Sequence, residues 1–153
     1  MIFNKKFYNI FIIFFAILLY SCNLNQSKLS GKWNAKKVFI SRISTFSEVE
    51  MHILYQESFI IKNGKIYYNY KDKSIECALK KVKDKYYLSK ILDYNSLQIA
   101  KKEFKGLSEN TVFSTHSFDC GKYYFFGNFL NFSEDYKFAI IGRDGATILF
   151  LRE

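Results

Sequence analysis

The sequence predicts an all-β fold, a small antiparallel barrel or closed sandwich of about eight strands with one short helix. Three observations lead to this prediction. Aromatic residues make up 20% of the 153-residue chain, and flat rings pack well on a pleated sheet. Short apolar runs recur about every 8–12 residues, as in barrels and sandwiches. Turn sequences such as Asn63-Gly64 separate them, and proline is absent, which excludes a Pro-rich linker between domains.

The N-terminus predicts an exported protein. Two lysines precede an apolar stretch that ends at Leu19 and is too short to span a bilayer comfortably, since a spanning helix needs about 20 residues. Residues 1–21 are therefore predicted to be a signal peptide. The sequence Leu19-Tyr20-Ser21-Cys22 resembles the lipobox of bacterial lipoproteins, which implies cleavage before Cys22 and its lipidation. The alternatives are a secretory signal followed by a free cysteine, and an uncleaved anchor.

Residues 22–30 are predicted to form a polar tether, and residues 31–153 a single barrel domain. The lipoprotein resemblance implies a lipid anchor in the outer membrane facing the periplasm, because Asn23 stands where a retention signal has Asp. The formal net charge of +9 falls to +7 when the two lysines of the predicted signal peptide are removed, and this basic charge suits anionic headgroups or an acidic partner. Export excludes cytosolic nucleic acid. The lysines are scattered without a long block, so we interpret them as solvated surface.

The first predicted strand covers residues 33–43 and places Trp33, Ala35 and Phe39 on one face. The next segment, residues 48–54, follows a serine and contains a glutamate with capping-box spacing, which predicts a helical turn. Its apolar residues also alternate as in a strand. The sequence leaves these two alternatives open.

The clearest hairpin joins residues 58–61 and 66–70 through the Asn-Gly pair, because a type I′ turn needs positive φ at both central residues. A further strand is predicted around residues 75–79, where apolar and polar residues alternate. Another is predicted over residues 86–92, after a turn at Lys83-Asp84.

One segment has helical rather than strand periodicity, and strands resume after it. The helix is predicted from Leu97, Ala100, Phe104 and Leu107, with Asn95 or Ser96 as cap and Gly106 near its end. The last strands are predicted at residues 111–118, 122–130, 136–141 and 146–151. Residues 123–130 are apolar on both faces, so the helix or another protein is expected to cover one of them.

Cys77 and Cys120 remain after Cys22 is assigned to the anchor. In an oxidising envelope, such a pair predicts a disulfide. The alternative is a reactive thiol, but the acidic neighbour Asp119 disfavours a thiolate.

The two ends of the domain resemble lipocalins. Gly31-Lys32-Trp33 is similar to the G-x-W motif of their first strand, and residues 135–152 look like the final hairpin of the bacterial members. The resemblance implies an up-and-down barrel whose base is closed by Trp33 packed with Arg152. A guanidinium over an indole contributes roughly 0.5–2 kcal/mol.

A barrel of this size can hold one small apolar ligand. The aromatic candidates for its lining, which also fit a plain core, are Phe59, Tyr68, Tyr70, Tyr86, Phe113, Phe125 and Phe138. His52 and His116 lie in unrelated segments and are predicted to be structural or exposed. No metal-ligand spacing and no nucleophile–base arrangement is recognisable, so we expect no metal, no cofactor and no enzymatic activity.

Two functions fit these features. The preferred one is a membrane-anchored envelope lipoprotein that binds a small lipophilic ligand in its barrel. The alternative is an inhibitor or immunity lipoprotein that binds an envelope protein and has no small-molecule ligand.

Overall fold

The computed structural model describes residues 28–40, 46–70, 73–120, 129–143 and 145–153. The predicted signal peptide and Cys22 lie outside these ranges. Eight antiparallel strands form a closed barrel in which each strand pairs with its neighbours in sequence and β8 pairs with β1. This confirms the all-β prediction and decides for an up-and-down barrel over a sandwich.

The strands are β1 Gly31–Ile40, β2 Ser58–Lys62, β3 Lys65–Tyr70, β4 Lys73–Tyr87, β5 Val112–Asp119, β6 Phe129–Ser133, β7 Phe138–Arg143 and β8 Ala146–Arg152. The helices are α1 Glu48–Tyr55, α2 Leu88–Ile91 and α3 Tyr94–Glu103. The structure therefore has more helix than the single one predicted. None of the helices it describes is long and apolar enough to cross a membrane.

The up-and-down order gives the barrel two distinct ends. We call the end where β1 begins the base; β8 ends there, and the β2–β3 and β6–β7 turns lie there. We call the end where β1 finishes the top; α1 connects β1 to β2 there. The N-terminal segment therefore enters the domain at the base.

The β2–β3 hairpin is the one predicted from the Asn-Gly pair. Asn63 and Gly64 have φ values of 52° and 70°, which is the left-handed geometry that a type I′ turn requires. The register pairs Lys62 with Lys65 and Phe59 with Tyr68.

The open question about residues 48–54 is decided in favour of helix. Ser47 accepts a hydrogen bond from the Glu50 backbone, and the Glu50 carboxylate accepts one from the Ser47 backbone at 2.8 Å. This reciprocal capping box satisfies amides that the first turn would otherwise leave unpaired. Leu54 is buried on the inner side of α1, against the barrel interior.

Three predictions for this part of the chain are wrong. Lys83-Asp84 is not a turn, because β4 runs on through it to Tyr87, and residues 88–91 form the helix α2 instead of a strand. A short apolar run fits either structure, and burial of Leu88 on the outer wall favours the helix. In α3 the cap is Asp93, not Asn95 or Ser96; its carboxylate accepts from both of those backbone amides.

A β-bulge between Ala35 and Lys37 changes the phase of β1. Trp33 and Ala35 belong to the interior core, as does Val38, whereas Phe39 belongs to a cluster on the outer wall. The prediction that Phe39 shares a face with Trp33 is therefore wrong, because one extra residue reverses the alternation that follows it.

Two apolar cores lie on opposite faces of the sheet. The interior core consists of buried apolar side chains from every strand except β5. Strand β5 contributes Phe118, which is half-buried. The outer core lies under α3 and contains Leu97 and Ala100 of that helix together with Ile140 and Leu149 of the wall. The helix thus covers the outer face of β7 and β8, so that both faces of these strands are buried.

Candidate functional site

The barrel interior contains a small apolar cavity of about 10 Å³. A single water needs roughly 10–15 Å³ measured in this way, so the cavity has room for about one water. The residues that line it are Phe59, Ile66, Tyr68, Cys77, Phe118, Cys120, Leu130 and Ile141. The buried apolar side chains of the interior core pack around this cavity.

The predicted lining residues are dispersed. Phe59 and Tyr68 line the cavity, whereas Phe113 and Phe138 are buried in the outer core beneath the helices. Tyr86 is 46% exposed on the outer face. Phe125 and the side chain of Tyr70 lie outside the described part of the chain, as does most of the predicted aromatic strand at 123–130.

Six of the lining residues were not predicted. Five of them were left out because only aromatic residues were considered, whereas Phe118 is aromatic and was overlooked. Ladder register finds four of them, because Ile66 pairs with Cys77 and Leu130 with Ile141. The inward face itself is marked by the pairs that lead from Trp33 through Phe59 and Tyr68 to Ile75. Residues directly opposite each other share a face of the sheet, so the inward face can be followed from Trp33 across four strands.

The base of the barrel is closed around Trp33. Its indole is fully buried, stacks on Phe59 with ring centroids 5.9 Å apart and meets Phe132 edge-on at 5.1 Å. The indole Nε1–H donates to the carbonyl oxygen of Leu29 at 3.2 Å. Leu29 is also buried and covers this end of the core.

Arg152 and Gly31 complete the base. Arg152 is the ladder partner of Trp33, and its guanidinium donates to the carbonyl oxygen of Lys28. Its aliphatic part crosses Gly31, where a Cβ atom would lie 3.3 Å from the Arg152 Cγ. The first and last strands of the domain therefore contact each other through Gly31, Trp33 and Arg152, the residues on which the sequence resemblance rests.

His116 is a buried titratable group of the interior, 5% exposed. Its ring meets Phe132 edge-on at 5.1 Å, and its Nδ1 lies 3.3 Å from the carbonyl oxygen of Ser114. Burial lowers the pKa of His116; the hydrogen bond to Ser114 opposes this shift and the charge of Lys81 adds to it. Burial therefore favours the neutral imidazole of His116. His52 is exposed on α1.

Cys77 and Cys120 form the predicted disulfide. Ala78 pairs with Asp119 in the β4–β5 ladder, so the two cysteines continue that register by one step. The bond closes a loop of 43 residues and lies in the wall of the interior cavity. The cysteines are therefore structural in this fold.

The described residues contain no group of three or more His, Cys, Asp or Glu side chains that could hold a metal ion. Exposed apolar side chains are instead found on the outer surface. Val49 is 69% exposed and Ile53 is 53% exposed, and their spacing in α1 places them on the same side of that helix.

Comparison of the chain with protein-family models, with curated proteins and with solved structures finds no match.

Proposed function

We propose that this protein is a lipid-anchored envelope protein of lipocalin-like descent that binds a protein partner through the outside of its barrel. The anchor would be Cys22, in the lipobox-like sequence that follows the apolar leader. An inhibitor or immunity protein is the class that best fits a small, secreted-type domain without recognisable catalytic groups.

The observation that carries this proposal is the filled interior. Ligand sites for small molecules commonly enclose about 300–1,000 Å³, whereas the cavity in the described interior measures about 10 Å³. A pocket of about 390 Å³ does exist, but it lies outside the barrel wall, between Leu92 and Thr147. Opening a chamber of the usual size would require moving residues such as Phe59 and Leu130, which are almost fully buried. Close packing makes such a rearrangement costly.

The outer face of α1 supports the choice of a protein partner. Val49 and Ile53 expose their side chains at the top of the barrel, away from the point where the anchor would attach. Apolar groups at the centre of an interface with polar groups around them are typical of protein recognition. His52 and Gln56, joined at 2.8 Å, provide polar neighbours on the same helix.

A small lipophilic ligand remains the second candidate because of one observation. The cavity lining is apolar, and it includes the aromatic residues Phe59 and Tyr68. A ligand that enlarged this cavity would contact the side chains of Phe59 and Tyr68.

Native mass spectrometry of the mature protein, gently released from membranes, separates the two candidates. Our proposal predicts one additional mass of a stoichiometric protein and no co-purifying lipid beyond the covalent anchor. The variant Val49→Asp with Ile53→Asp should lose the partner, whereas the control Lys36→Asp on the barrel wall should keep it. A noncovalent lipid adduct that survives in the partner-free protein would contradict the proposal and favour the ligand.

A further inference from the structure

We infer that the base of the barrel is a membrane-contacting surface that binds anionic phospholipid headgroups and holds the domain upright. This inference rests on the proposed lipid anchor. It concerns the orientation of the domain, which the anchor alone leaves free.

The first step is the reach of the tether. Cys22 precedes Lys28 by six residues, and an extended chain spans at most about 3.6 Å per residue. Lys28 therefore lies within about 22 Å of the lipidated residue. Since the chain enters at the base, this end of the barrel is the part of the domain that stays closest to the headgroups.

The second step is the position of several exposed lysines at the base. Lys62 belongs to the end of β2, at the β2–β3 turn. The backbone amide of Leu79 donates to the carbonyl of Gly64 in that turn at 3.1 Å, so Lys80 and Lys81 lie beyond it, toward the base. Lys105 lies in the connection from α3 to the start of β5, which is also at the base.

The third step is that these lysines are not neutralised locally. Within the described ranges, no carboxylate lies close enough to form a salt bridge with Lys28, Lys62, Lys80, Lys81 or Lys105. Other cations of the base are paired, and the pairs are Lys32–Glu153, Lys65–Glu76, Lys85–Glu134 and Lys137–Asp135. Asp84 opposes the excess charge, as does Asp119, the ladder partner of Ala78, but the five lysines outnumber these two carboxylates.

A membrane fits this surface better than a soluble acidic protein does. The lipid anchor would keep the membrane close to the base, so its effective concentration there is high. Attraction between lysines and anionic lipids acts over a Debye length, about 8 Å at physiological salt. The tether limits the distance of the base from the membrane to about 22 Å, so the base enters that range without a search through solution. An acidic protein bound at the base is an alternative that the experiment below distinguishes.

The test uses the full lipidated protein in vesicles of phosphatidylcholine, with and without added phosphatidylglycerol. Acetylation rates of individual lysines are read by mass spectrometry. We expect Lys28, Lys62 and Lys105 to react at least about threefold more slowly in anionic vesicles, an effect that high salt removes. Lys36 is exposed on the wall of β1 and should react equally in both. Equal rates at the base lysines would overturn the inference.

Charge-reversal variants provide the matched comparison. Lys62→Glu combined with Lys80→Glu should restore fast acetylation of Lys28 and Lys105 in anionic vesicles. Lys36→Glu combined with Lys102→Glu makes the same change in net charge on the side of the domain and should leave the protection intact. Loss of protection in both variants would show a non-specific charge effect and would also overturn the inference.

The mass of the N-terminal peptide separates this inference from the proposed function. An unlipidated Cys22 would refute the anchor and with it both proposals. A lipidated Cys22 with no protection at the base would refute only the orientation. Protection that needs a co-purified protein rather than phosphatidylglycerol would replace the membrane with an acidic protein partner.

Discussion

Gly31 is the residue where the base has no room for a side chain. Its φ is 146°, and a Cβ atom would lie 3.3 Å from the Arg152 Cγ. We expect Gly31→Ala to destabilise the fold by about 1–3 kcal/mol, because both backbone strain and crowding oppose the methyl group. Urea unfolding followed by circular dichroism measures this change.

Gly142 is the matched control for Gly31. An added Cβ there meets nothing within 4 Å, so Gly142→Ala should change stability by less than about 0.5 kcal/mol. Equal effects of the two substitutions would contradict the assignment of Gly31 to a crowded base.

His116 should make stability depend on pH. Because burial holds the pKa of His116 below its usual value, the unfolded chain binds a proton at a pH where the folded chain does not. Stability contributed by the neutral ring is therefore present above pH about 6.5 and decreases as the pH falls below it. One proton contributes at most about 1.4 kcal/mol per pH unit.

The measurement compares urea unfolding from pH about 7 to pH about 5 for the wild type and His116→Gln. The variant should lose stability overall, but its stability should fall less steeply with acid. The substitution His52→Gln in exposed α1 serves as the control and should keep the steeper dependence. A wild-type slope unchanged by His116→Gln would refute the prediction.

At the scale of elements, α1 depends on its N-terminal cap. The Ser47 hydroxyl accepts a hydrogen bond from the Glu50 amide at 3.3 Å. In return the Ser47 backbone N–H donates to the Glu50 carboxylate at 2.8 Å, and this bond is the main cause that lowers the pKa of Glu50. Ser47→Ala should destabilise the protein by about 1 kcal/mol. Thermal unfolding measures the loss, and Ser89→Ala in exposed α2 should be nearly neutral.

Elements whose signal is local could be predicted from the sequence, and those set by distant contacts could not. The Asn63-Gly64 hairpin needs only its own two residues to adopt positive φ. The residues 88–91 carry no such local signal, and their helical form depends on burial of Leu88 against the outer wall.

The interior site was predictable only in part for a related reason. Phe59 was identified, but Phe113 and Phe138 were placed on the wrong face, because parity within one strand does not show which face points inward. That choice is made by ladder register and by the bulge in β1. Residue type alone therefore identified aromatic side chains but did not show which of them face the barrel interior.

For the whole molecule, the disulfide is the strongest constraint on the unfolded chain. Cys77 and Cys120 close a loop of 43 residues, for which the chain-entropy model gives about 4 kcal/mol. The double variant Cys77→Ala with Cys120→Ala should lose stability of this order in urea unfolding. A reductant should weaken the wild type and leave the variant unchanged; a loss below about 1 kcal/mol would contradict the model.

The bulge in β1 has a consequence for how insertions and deletions would be tolerated. With the bulge between Ala35 and Lys37, Lys37 points outward and its Nζ reaches the Glu103 carboxylate of α3 at 2.8 Å, while Val38 points into the core. Lys36 is the extra residue of the bulge, so removing it would leave Ala35–Phe150 and Lys37–Leu149 as consecutive pairs and would keep both environments. We therefore expect β1 to tolerate the loss of one residue here, where the strand would become regular, better than elsewhere along its length.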